Sequence, residues 1–171
     1  MPATVAEILE EFDQEWATTR RVLERVPADQ LTWKPHEKSL SLGQLALHVA
    51  MGPGLIGEWV LQDSIESPGM TVFPKPDSRG EILATHEEST RKVKDALSTL
   101  GDAGLGRTWH LKRDGKTVMA LPKGQLIRSI ALNHMYHHRG QLSVYLRLMN
   151  VAVPSIYGPS ADEVPEAAAD S

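Results

Sequence analysis

Apolar residues recur three or four positions apart in four long stretches of the chain, the spacing that lays a stripe along one face of an α-helix. In the first stretch Val5, Ile8, Phe12, Trp16, Leu23 and Val26 share such a stripe, which Pro27 closes. Thr4 and Glu7 stand three apart at its start, where a hydroxyl and a carboxylate can satisfy orphan amides reciprocally. Ser41 and Gln44 repeat that spacing ahead of a second stripe of Leu45, His48, Leu55, Ile56 and Trp59. Pro53, flanked by Gly52 and Gly54, predicts a kink there, because proline removes a helical hydrogen bond. Ser78 and Glu81 open a third helix through Ile82, His86, Val93, Leu97 and Leu100 to Gly101. Pro122 suits the first position of a fourth, which extends to about Asn150.

The connections have a different texture. Residues 63–77 (DSIESPGMTVFPKPD) hold three prolines and a glycine and read as an irregular crossing. Residues 107–121 place Asp114-Gly115 between two short runs, the signal of a β-hairpin. The last thirteen residues, 159–171, are small, acidic and broken by proline, and read as a partly mobile tail. With 171 residues the chain can build one sizeable core. The expectation is an all-α four-helix bundle over residues 1–158 with a short β-hairpin insertion before the last helix.

Composition removes several function classes. The formal net charge is −4, so no basic field holds a phosphate backbone and nucleic acid is not expected as a partner. With no cysteine, the chain has no disulfide, iron–sulfur cluster, thiolate metal site or cysteine nucleophile. The first residues are amphipathic and acidic, unlike a signal peptide, and no apolar run approaches the roughly 20 residues of a membrane span. The expected location is the cytoplasm, away from membranes.

The stretch LNHMYHHRGQL gathers His134, His137 and His138 on the fourth helix. On a wheel of about 100° per residue, His134 falls at the centre of a stripe with Ile127, Ile130, Ala131, Tyr145, Leu148 and Met149, opposite Arg128, Arg139 and Arg147. Taking His134 as zero, His138 lies at about +40°, Gln141 at about −20° and His137 at about −60°. Imidazoles within an apolar stripe are costly unless something satisfies them. His134 could pair with His137 or with His138, and the i, i+4 pair with His138 fits the wheel better. His48 lies on the apolar face of its own helix. One shared ion accounts for three such histidines more economically than three independent packing roles. His86 is the spare inward candidate, with packing its expected role; His36 and His110, in a loop and a hairpin, read as solvated. No inward carboxylate stands out as a general base: Glu15 is marginal and Glu58 lies at the edge of its helix.

Three segments, SLGQLALHVA, LPKGQLIRSIALNHMYHHRGQLSVYLR and VPSIYGPSADE, together resemble the DinB-like superfamily, which is grouped with YfiT-type metal-dependent hydrolases. The resemblance covers nearly the whole chain in order. It implies an up-down-down-up four-helix bundle whose metal site takes one histidine from the second helix and two, four apart, from the last. Carried onto this sequence those positions are His48, His134 and His138. Gln44, Gln141, Tyr145 and His137 would then support the ligands or orient a substrate. A three-histidine site leaves coordination positions open, as in catalytic rather than structural centres, and suits Zn²⁺, Ni²⁺ or Fe²⁺. The resemblance also implies small-molecule chemistry. Some members conjugate a low-molecular-weight thiol to an electrophile as thiol S-transferases, others are described as hydrolases, and members frequently form homodimers, for which Trp33 or Trp109 would offer exposed apolar surface. The alternative is a stress-associated bundle that binds metal or a partner without turnover. One segment, MGPGLIGEW, sets glycines and a proline one turn after His48, where related proteins often carry bulkier residues, and is expected to reshape the pocket beside the ion.

Overall fold

The computed structural model describes residues 4–69 and 73–164. It is mostly helical, with a small three-stranded sheet. Helix α1 spans Val5–Glu24 and α2 spans Leu42–Leu61. A short strand β1, Ser64–Glu66, follows, then the long helix α3, Arg79–Leu105. Strands β2 (Thr108–Arg113) and β3 (Lys116–Pro122) lead into a single turn, α4 (Lys123–Leu126). A π-helical run, Ile127–Asn133, passes directly into the last helix, α5 (His134–Leu148).

Local chemistry sets the helix starts. Thr4 and Ser41 each accept the amide of the residue three ahead, and Glu7 and Gln44 return a bond to the cap backbone, so both capping boxes are complete. Ser78 caps α3 through the Glu81 amide, but the Glu81 carboxylate reaches Asp77 N–H instead, at 2.7 Å. Gly101 holds φ 61° and bends α3, which resumes for a final turn to Leu105. That positive φ suits a residue without Cβ. At the β2–β3 turn Asp114 and Gly115 hold φ 53° and 73°, the pair of positive values that a tight hairpin needs.

Two expectations about the connections change. The crossing from residue 63 is not wholly irregular, because β1 pairs in parallel with β2, Ile65 opposite Leu111. The insertion is therefore a three-stranded sheet in the order β1-β2-β3 rather than a hairpin alone. In MGPGLIGEW, Gly54 and Gly57 serve helix packing, and Gly54 also lines a small cavity with Met51, Leu55, Thr85 and Ser89. A Cβ at Gly54 would stand 2.6 Å from Ser89 Oγ, and one at Gly57 would stand 3.2 Å from the Lys92 carbonyl oxygen. Both glycines let α2 lie close against α3. Pro53 lies within the continuous α2, and the next amide, Gly54 N–H, donates to Ser89 Oγ at 2.7 Å.

The core runs through Phe12, Trp16, Val22 and Leu23 of α1, Leu45, Val49 and Ile56 of α2, Ile82, Val93 and Leu97 of α3, and Leu142 and Leu146 of α5. Trp109, expected at the surface, is buried at 2 % exposure, and its indole N–H donates to the Trp59 carbonyl. Trp33 is half-buried, edge-on to Tyr145. Neither offers the exposed face expected of a dimer contact. The largest departure concerns Arg139, expected on the solvent side and found 1 % exposed. Its guanidinium pairs with Glu15 at 2.7 Å, donates to Thr19 Oγ1 and the Tyr157 hydroxyl, and lies against the Tyr136 and Tyr157 rings.

Candidate metal centre

The buried stripe of α5 is Met135, Arg139, Leu142 and Leu146, at steps of four, three and four. His134 is exposed, so it does not occupy the centre of the buried stripe, and Leu148 is exposed as well. The physical reason lies upstream. In the run Ile127–Asn133 the hydrogen bonds span five residues, which widens each turn, so residues on either side cannot be placed on one 100° wheel. Ile127 and Ala131 remain in the core, while the histidines move to its edge.

At that edge α2 meets α5. One ligand atom from each of His48, His134 and His138 lies within 4.8 Å of the others. His48 Nε2 stands 3.0 Å from His134 Nε2, and the His48 ring meets the His138 ring at a centroid distance of 4.6 Å. Imidazoles four residues apart share a face across adjacent turns, which lets α5 supply two of the three. His48 and His138 are half-buried and His134 is exposed, so the cluster opens to solvent on one side.

The electrostatics keep these rings neutral. Burial, followed by the neighbouring His138 and His134, lowers the His48 pKa to about 4. His134 is lowered by burial and then by His137; His138 is lowered by burial and by both neighbours, against an upward contribution from Gln141. Neutral imidazole is the form that ligates a cation, and three neutral nitrogens converging on one point have no mutual donor for every lone pair.

The supporting residues divide by what they touch. Gln141 Oε1 meets His138 Nδ1 at 2.8 Å, and its amide nitrogen lies 3.0 Å from His137 Nε2. That contact orients the ring and leaves Nε2 of His138 as its free nitrogen, the usual task of a residue behind a metal-binding histidine. His137 therefore meets the cluster only through Gln141 and the His138 ring edge. Gln44 is fully engaged: its oxygen accepts Ser41 N–H, and its nitrogen donates to the Phe73 carbonyl at 2.9 Å. Phe73 lies edge-on to His48 at 5.1 Å, so Gln44 reaches the cluster by holding an apolar wall beside it. Sequence reasoning missed Phe73, and no spacing signal marks it. Tyr145 donates to the Leu40 carbonyl at 3.4 Å and packs on Trp33, tying α5 to the α1–α2 connection.

The remaining candidates lie elsewhere. His86 is buried on α3, stacked on Trp16 at 4.1 Å, and neither of its nitrogens has a hydrogen-bond partner among the described residues. His36 Nδ1 accepts the Lys38 amide in a surface loop, and His110 is half-buried in β2 near the Asp63 carbonyl. Glu15 is committed to Arg139 and Tyr157, and Glu58 to Lys92.

Fold and cluster together define a mostly helical protein with an open, three-imidazole group that could hold a metal ion. The sequence profile of the DinB family matches residues 1–167, and the chain belongs to that family. It is 25 % identical over 162 residues to the uncharacterized protein YrdA of Bacillus subtilis, covering 94 % of this chain and 92 % of that one. The uncharacterized protein YjoA of the same organism is 26 % identical over 144 residues, with 84 % and 89 % covered. Among solved structures, a DinB-like protein of Bacillus cereus superposes with a TM-score of 0.73 at 23 % identity, covering 92 % of this chain and all of that one. The crystal structure of YjoA gives 0.67 at 22 %, with 93 % and 96 % covered, and both likenesses speak to the fold. No helix among the described residues is long and apolar enough to cross a membrane.

Proposed function

We propose that this protein is a divalent-metal-dependent enzyme acting on a small molecule, with His48, His134 and His138 as the metal ligands. The convergence of three neutral imidazoles within 4.8 Å carries the reading. The donor set fits a borderline transition cation, Zn²⁺, Ni²⁺ or Fe²⁺, and three protein ligands leave a position for substrate. When bound, such an ion supplies Lewis acidity at that position. The chain's own part is to fix the ligands: Gln141 orients His138, Phe73 shields the His48 ring, and the Arg139–Glu15 pair anchors α5 against α1.

Between the two reactions, transfer of a low-molecular-weight thiol to an electrophile is favoured over hydrolysis. The two inward carboxylates closest to suiting a general base, Glu15 and Glu58, are both engaged in ion pairs. Water-activating hydrolysis gains most from such a base, whereas a thiol needs only to be held as its thiolate. The thiol must come from outside, since the chain has no cysteine. The four long helices fit an up-down-down-up bundle, and a homodimer completes the proposal.

The test is elemental analysis of the purified protein and its His48→Ala variant, followed by a screen of thiols with electrophiles on the metal-loaded protein. Near-stoichiometric transition metal in the parent and none in the variant supports the site, and metal-dependent thiol consumption supports the reaction. Stoichiometric metal without turnover of any thiol or ester pair would favour a binding protein, consistent with the engaged carboxylates. A single monomeric peak in light scattering at micromolar concentration would remove the dimer.

A further inference from the structure

Away from the histidines, the start of α1, the end of α3, the β3–α4 junction and the π run surround a cavity of about 710 Å³. Ile8, Leu105, Pro122, Ile127 and Leu132 give it apolar walls, and none of the three clustered histidines lines it. Its two charged residues already have partners. Asp102 Oδ1 accepts the Val5 amide at 2.7 Å, and the Arg128 guanidinium forks onto both oxygens of Glu11. A charged occupant would have to break one of these pairs or enter an apolar wall uncompensated, and either is costly. Thr4 and Gln125 are the uncharged polar residues of the lining, and most of the wall is apolar.

Size and shape narrow the occupant further. Small-molecule sites typically measure roughly 300–1,000 Å³, and this cavity lies inside that range. Its walls come from three separate stretches of chain, residues 4–8, 102–106 and 122–132, whereas a partner helix needs a groove with open ends. Ile127 and Leu132 belong to the π run, a backbone form that is rare and concentrates at functional positions.

We propose that this cavity binds an uncharged, predominantly apolar small molecule, at a site separate from the histidine cluster. The measurement is titration of the full chain with Nile red, a neutral dye that brightens in apolar surroundings, followed by its displacement with straight-chain 1-alkanols from hexanol to dodecanol. Binding is expected to saturate at one dye per chain. Alkanol affinity should rise about fourfold per added methylene, then level off once the cavity is full. Two variants fill the space. A Cβ at Gly106 meets nothing within 4 Å and its φ of −80° suits any residue, so Gly106→Trp is tolerated by the backbone. Ala103→Trp does the same from an exposed position on α3. Each should weaken Nile red binding at least about tenfold while circular dichroism and metal loading match the parent. Non-saturable partitioning, or binding unaltered in both variants, would overturn the proposal. So would binding that emerges only after residues 1–3 are removed, which would make the chain's own start the occupant. Loss of dye as light scattering reports dimerisation would assign the cavity to a second copy and would overturn it too.

Discussion

His48 and His86 look alike by the usual mark of a special histidine, since burial above all lowers each pKa to about 4. Their surroundings differ in kind. His48 stands with its Nε2 3.0 Å from that of His134 and its ring against His138. His86 lies flat on Trp16, with Arg20 as the next contributor to its low pKa, and its two nitrogens meet no partner among the described residues. One ring belongs to a converging group and the other to a stack. Burial makes an imidazole a poor base in either setting; only convergence makes it a candidate ligand.

The sharpest way to break the comparison is to delete rings. His48→Ala, His134→Ala or His138→Ala should each lower zinc affinity by more than the roughly 10–100-fold that loss of a supporting residue costs. His86→Phe should leave zinc affinity unchanged, as read by competition with a chromogenic chelator. Equal losses at both positions would dissolve the distinction.

The next effect is on stability. His86 binds its proton near pH 4 when folded and near the ordinary 6.5 when unfolded. The unfolded chain therefore takes up the proton first on acidification. Its contribution is fully present above pH 6.5 and is lost as the pH falls from 6.5 towards 4, by at most about 3 kcal/mol. His86→Phe keeps the ring stack and removes two unpaired nitrogens, so urea unfolding of the variant should be flatter than the parent's across that window. An identical pH slope in both proteins would place the acid sensitivity elsewhere.

Smaller effects grade the support. Gln141→Ala should weaken zinc by about tenfold, because the His138 ring loses its Nδ1 partner. His137→Ala should change it by less than about threefold, since His137 touches the cluster only through Gln141 and a ring edge. Isothermal titration of both variants gives the ratio, and a larger loss from His137→Ala would move the second ligand of α5 to that position.

Much of this was legible in the sequence where the governing contacts are local. Both capping boxes, the Asp114-Gly115 turn and the i, i+4 pairing of His134 with His138 depend on residues at most four apart. Long-range partners left no such trace. Arg139 reads as a surface residue on a wheel, and partners from distant segments, the Glu15 carboxylate and carbonyl, Thr19 and Tyr157, make its burial tolerable. Strand β1 is three residues long and pairs with a strand some forty-five positions on, beyond any periodic signal. Gly54 and Gly57 admit the backbone of α3, a close approach that depends on residues more than thirty positions away. The wheel chose His138 over His137 while misplacing the core, because their relative angle depends only on α5 and the core's on everything before it.

That last point turns the π run into a matter of phase. The final helical stretch behaves as two shafts joined by a coupling: the upstream shaft is keyed to the core by Ile127 and Ala131, the downstream one by Arg139 and Leu142. Which way His134 and His138 aim is then set by the number of residues in the coupling rather than by any side chain in it. Removing one residue between Ile127 and Asn133 shifts the two shafts by about 100° relative to each other. The core key or the histidine pair must then give way. A single-residue length change is thus enough to create or erase the cluster without touching a histidine.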